Sequence, residues 1–125
     1  MTTRRILIVD DEDDIREVAQ MSLELVGGYE VLTAASGRDG LERARGGQPD
    51  AILLDVMMPD MDGPATLVRL RADPATRDIP VVFLTAQTQS TERQKLGALG
   101  AAGILTKPFD PMKLAAEVAA ALHWG

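Results

Sequence analysis

A chain of 125 residues, 46% of them hydrophobic and 26% charged, has the length of one domain and the composition of one that buries a core. A formal net charge of −6 leaves no basic cluster to displace counterions from a nucleic acid, and the absence of cysteine rules out disulfides and thiolate metal sites. No apolar run reaches the length of a membrane span, and the short one after Arg4-Arg5 turns acidic at once, unlike a signal peptide; a cytoplasmic protein contacting neither membrane nor nucleic acid is expected.

Residues 4–9 read as a short buried strand that runs into Asp10-Asp11-Glu12-Asp13-Asp14. Asp13 or Asp14 is expected to cap the next helix, in which Ile15, Val18, Ala19, Ser22, Leu25 and Val26 recur at helical spacing before Gly27-Gly28 closes it. Residues 29–34 alternate weakly, as an edge strand does. Ser36-Gly37-Arg38-Asp39 has the form of a capping box, and its short helix is expected to stop at Gly46-Gly47.

The central run, Ala51-Ile52-Leu53-Leu54-Asp55, reads as a strand buried on both faces that ends on a carboxylate. A charge there is costly unless it works at a surface cleft. Pro59 and Gly63 prevent the strand from continuing, and Pro64 suits the first turn of a helix that lasts to Asp73-Pro74. A fourth strand, 81–84, ends on Thr85, followed by a polar loop over 86–90 and a weak helix over 91–99 with few large apolar residues. A last strand over 103–106 meets Lys107-Pro108. Asp110-Pro111 then reads as a capped helix start, with Leu114, Ala115, Val118, Ala121 and Leu122 facing inward. His123 is expected to be exposed at that helix end, and Trp124 either packs back on the domain or marks a contact with another subunit.

Five strands alternating with five helices imply a parallel sheet covered on both faces, a single doubly wound α/β domain without linker or repeat. All strand ends of such a sheet share one edge, so Asp10 and Asp11, Asp55, Thr85 and Lys107 gather there. Carboxylates from neighbouring strands repel unless a hard cation lies between them, and magnesium suits one or two carboxylates, waters and phosphate oxygens. Thr85 and Lys107 are donors suited to phosphoryl oxygens. A carboxylate placed among these groups can attack a phosphoryl group and form an acyl phosphate.

Ile8-Val9-Asp10-Asp11-Glu12, Leu54 through Gly63, Leu84-Thr85-Ala86 and Thr106-Lys107-Pro108-Phe109 together resemble the receiver domain of two-component response regulators, over the full length of the chain. The likeness is to the stand-alone, chemotaxis-regulator type. It implies a flavodoxin-like sheet in the order 2-1-3-4-5, Asp55 as phosphoacceptor, and Mg2+ held by Asp10, Asp11, Asp55 and the backbone carbonyl of Met57. It further implies Thr85 and Lys107 at the phosphoryl group and a cis Lys107-Pro108 bond. The implied partners are a sensor histidine kinase or phosphotransfer protein and a downstream target, the chain being a monomer or weak dimer. Residues 1–125 are expected to be one receiver domain with no output domain. Met1 and the finish of the last helix favour a chain that acts alone.

Three other functions fit less well. A phosphatase of the haloacid dehalogenase type wants a second acid two residues after its nucleophile, where this chain has Met57, and a cap domain that 125 residues cannot hold. A receiver that works without phosphorylation would lack an acid or the lysine. A flavin-binding domain would want a hydroxyl- and glycine-rich phosphate loop in place of residues 10–14. One departure from the receiver pattern is Ile104, where the family usually has an aromatic residue. The switch is therefore expected to run through Thr85, the 86–90 loop and the weak helix after it.

Overall fold

The computed structural model describes residues 3–86 and 89–124. The elements are β1 (Arg5–Val9), α1 (Asp13–Leu25), β2 (Glu30–Ala34), α2 (Gly37–Gly47), β3 (Ala51–Asp55), α3 (Gly63–Ala72), β4 (Val81–Thr85), α4 (Ser90–Ala98), β5 (Gly103–Thr106) and α5 (Leu114–Ala121). All four strand pairings are parallel and the sheet order is β2-β1-β3-β4-β5, the doubly wound α/β arrangement expected. β2 lies at the edge, as its weak alternation implies.

The inner strands read as unbroken apolar runs because both faces are covered. Leu7, Val9, Ile52, Leu54, Val81 and Phe83 point to one side, against Ala44, Leu67, Leu70 and Leu96 of α2, α3 and α4. Ile6, Ile8, Leu53, Val82, Leu84 and Leu105 point to the other, against Ala19, Leu23, Leu114, Ala115 and Val118 of α1 and α5. The period-2 alternation of strand side chains thus divides one aliphatic sheet between two helical layers.

Helix boundaries differ from expectation where side chains compete for the backbone. Neither Asp13 nor Asp14 caps α1. Glu12 holds the N-cap position without a side-chain cap bond, and Asp13 pairs with Arg16. Ala19, Ser22 and Leu23 are buried in α1, whereas Val18, Leu25 and Val26 face solvent. Ser36 does cap α2, accepting the Asp39 N–H at 3.1 Å. That helix takes in Gly46 and Gly47, and the left-handed residue is Gln48 (φ 44°), whose side-chain amide donates to the carbonyls of Ala44, Arg45 and Ala75. Asp110 caps a turn, accepting the Met112 N–H at 2.9 Å, and α5 begins only at Leu114. α4 begins at Ser90, one residue before expectation, and positions 87 and 88 of the expected loop lie outside the described residues.

Trp124 packs on its own domain, the first of the two roles considered for it. Its ring meets Tyr29 at a centroid distance of 5.6 Å, and the Arg4 guanidinium lies 4.2 Å above it. His123 is exposed in a left-handed conformation (φ 58°) just past the end of α5, as expected.

Candidate functional site

The site lies where the carboxyl ends of β1 and β3 diverge, the point at which the strand order of an open α/β sheet reverses. Asp10 follows β1, its N–H bonded to the Ala34 carbonyl at 3.1 Å, and its side chain is buried. Asp55 ends β3 at only 3% exposure. Behind it the chain turns tightly: Gly63 donates to the Val56 carbonyl at 2.9 Å, and a Cβ on Gly63 would stand 2.5 Å from the Asp55 carbonyl oxygen. Only glycine lets α3 begin so close to the strand end. Asp62, accepting from Ala65 N–H at 2.9 Å, and Pro64 in the first turn fix that start.

Lys107 reaches the same place from the end of β5. Its N–H bonds the Thr85 carbonyl at 2.8 Å, the Lys107-Pro108 bond is cis as expected, and the ammonium points into the cleft. Nζ lies 3.1 Å from Asp10 Oδ2, 3.2 Å from Asp55 Oδ1 and 3.4 Å from Glu12 Oε1. Asp55 Oδ1 also accepts a long bond, 3.4 Å, from the Met57 N–H. Thr85 is buried at the end of β4, beside β3. The structure therefore gathers Asp10, Asp11, Asp55 and Lys107 around one point, with Thr85 on the neighbouring strand end. The Met57 side chain is 67% exposed, which leaves its backbone as the part of it near the site.

One ammonium does not satisfy this many carboxylates. Oxygens of Asp10, Asp11 and Asp55 come within 4.8 Å of one another, and Asp11 Oδ1 and Asp55 Oδ2 are buried without a hydrogen-bond partner. Buried carboxylate oxygens left unpaired are expensive. A hard cation with oxygen ligands fits this donor set.

Electrostatics reports the same strain. Burial, with the adjacent Asp10 charge, pushes the Asp55 carboxyl up to about 6 against the opposing pull of Lys107. Burial alone would lower the Lys107 ammonium, but its hydrogen bond and charge contact with Asp10, together with Asp55, hold it above the usual lysine value.

The Asp55 shift has a consequence for stability. A carboxyl raised from 3.8 to about 6 binds its proton more tightly in the folded state. Metal-free stability is therefore lost as pH rises through that window. In a chelator, Asp55→Asn is expected to exceed the wild type in stability by about 2 kcal/mol at pH 7, allowing for solvent at the cleft, with the advantage gone at pH 4. Urea unfolding at the two pH values checks this, and a pH-independent difference would contradict it.

Two residues of the site carry no role in the sequence reading. Glu12 contacts Lys107 with its side chain, while its N–H donates to Asp10 Oδ1 at 2.9 Å. Arg16 donates to the Asp10 carbonyl at 2.8 Å and pairs with Asp13, bracing the acidic loop. The only sign of Arg16 in the sequence is a cation one turn into a helix that opens on acids.

Comparison with known proteins decides the family. The family model described as the response regulator receiver domain matches residues 6–119. The chain belongs to that family. It is 43% identical over 119 residues to the DNA-binding dual master transcriptional regulator RpaA of a Synechocystis species, covering 95% of this chain and 49% of that protein. To the alkaline phosphatase synthesis transcriptional regulatory protein PhoP of Bacillus subtilis it is 39% identical over 120 residues, covering 96% and 49%. The chain thus spans about half the length of these curated relatives. Among solved structures, the chemotaxis response regulator CheY4 of Vibrio cholerae superposes with a TM-score of 0.89 at 36% identity, covering 96% of this chain and 99% of that one. As a receiver domain the chain is a phosphoacceptor module of two-component signalling. Receiver domains bind Mg2+ at an acidic pocket and work with histidine kinases and downstream effectors. Among the described residues, no helix is long and apolar enough to cross a membrane.

Proposed function

We propose that Asp55 accepts a phosphoryl group from the phosphohistidine of a kinase or phosphotransfer protein. Asp10, Asp11, Asp55 and the Met57 carbonyl would hold Mg2+, and Thr85 and Lys107 would contact the phosphoryl oxygens. The supporting observation is the meeting of Lys107 Nζ with Asp10 and Asp55 beside two unpartnered buried carboxylate oxygens. A carboxylate oxygen of Asp55 attacks phosphorus, the P–N bond to the imidazole breaks, and the leaving nitrogen keeps the electron pair. Bound magnesium supplies charge compensation for the phosphoryl oxygens. Lys107 shifts from carboxylates to the new phosphoryl oxygens, and the Thr85 hydroxyl donates from the other side. Asp10 stays tied to Glu12 N–H and keeps the acid pair aimed.

The signal leaves through β4 and β5, whose ends carry Thr85 and Lys107. α4 is the pliable part, because Leu96 is its one buried residue and Arg93 holds it to the Ile104 carbonyl at 3.3 Å. Ile104 is half-buried and offers no ring to reorient. The output is a changed surface over α4, β5 and α5 that a downstream protein reads. With a net charge of −6, this domain itself makes no contact with DNA. Borohydride reduction of the phosphorylated protein, which converts an aspartyl phosphate to homoserine, tests the acceptor: the modification is expected at position 55, and trapping at any other aspartate would overturn it.

A further inference from the structure

Asp10, Asp11 and Asp55 carry three negative charges, which Lys107 and one divalent cation would balance. Glu12 is then a surplus charge in contact with the site. Its side chain is 61% exposed and stands 3.4 Å from Lys107 Nζ, on the solvent side of an ammonium already engaged by two buried carboxylates. A third, exposed partner adds little to the anchoring of Lys107. What Glu12 adds is a negative charge at the mouth through which a phosphodonor must pass.

We propose that Glu12 is a specificity-determining residue that disfavours small anionic phosphodonors, leaving the site to a donor carried on a protein surface. The inference rests on Asp55 being the acceptor. A free phosphoanhydride arrives with its full charge and is repelled by Glu12. A phosphohistidine arrives embedded in a protein whose own groups can offset that carboxylate, so the cost falls on the small donor. Glu12 touches neither the donor nor phosphorus, and its effect is graded by the donor's charge.

Two donors of different charge test this at pH 7 and low ionic strength with saturating magnesium. Acetyl phosphate is mainly a dianion: its phosphoryl group moves to an Asp55 oxygen as the P–O bond breaks and acetate leaves with the electron pair. Phosphoramidate is mainly a monoanion with its nitrogen already protonated: the phosphoryl group moves to an Asp55 oxygen as the P–N bond breaks, and ammonia leaves with the electron pair. Glu12→Gln is expected to raise the second-order rate constant about tenfold with acetyl phosphate and about threefold with phosphoramidate, and added salt should compress both gains. Glu12→Asp, which keeps the charge but retracts it from Lys107, should behave like the wild type with both donors. Equal factors for the two donors, or a Glu12→Asp protein that behaves like Glu12→Gln, would show that Glu12 acts by holding Lys107 and would overturn the proposal. A wild type that never gains phosphate on Asp55 would overturn the acceptor assignment and this inference together.

Discussion

Lys107→Ala is expected to destabilise the metal-free protein by about 3 kcal/mol at neutral pH while leaving its unfolding cooperative. Nζ is the cation common to Asp10 and Asp55, which are 1% and 3% exposed. Removing it leaves two buried carboxylates facing each other, and that residual charge, more than any lost contact, sets the cost. The core does not change, because Lys107 stands beyond the end of β5 and outside both aliphatic layers. Thermal unfolding should show a midpoint lowered on the order of 10 °C. The deficit should shrink on acidification, as Asp55 takes up a proton: its carboxyl is raised to about 6 with Lys107 beside it, and loss of that cation raises it further. Magnesium should restore part of the loss by supplying positive charge at the same carboxylates. A broad, non-cooperative transition would mean that Lys107 organises the fold, and an unchanged midpoint would mean that its contacts carry no energy.

Asp11→Ala is expected to weaken magnesium binding tenfold or more with little change in stability. Among the described residues no hydrogen bond or ion pair to the Asp11 side chain is found, and its Oδ1 is buried without a partner. Truncation therefore removes one carboxylate of the proposed magnesium site and an uncompensated charge, and costs the fold almost nothing. Magnesium keeps most of its waters and depends on few charged anchors, so loss of one is felt strongly. Calorimetric titration separates the two effects, and an unchanged magnesium affinity would place the ion elsewhere. Asp10 is less clean for this purpose, because it also accepts from Glu12 N–H and contacts Lys107.

The sheet was legible because buried parallel strands leave short apolar runs, and four of those runs end on residues that no core would choose: Asp10, Asp55, Thr85 and Lys107. Their convergence followed from the shared polarity of the strands. Helix starts were less legible. An acidic run offers more than one candidate cap, Asp13 or Asp14, but the structure pairs Asp13 with Arg16 and puts Glu12 at the N-cap without a side-chain cap bond. At Asp110 the proline sat in a turn, so the helix began three residues later than the dipeptide suggested. Glu12 escaped notice because its role depends on the reach of Lys107 across 95 residues of sequence, which no local pattern encodes. Trp124 likewise needed Tyr29 and Arg4 to be brought to it by the fold.

The acceptor assignment meets its most direct test in the intact mass of the protein after incubation with acetyl phosphate and magnesium. The wild type should gain the mass of one phosphoryl group, and Asp55→Asn, with its geometry kept and its nucleophile removed, should gain none. A phosphoryl gain that survives in Asp55→Asn would contradict the account.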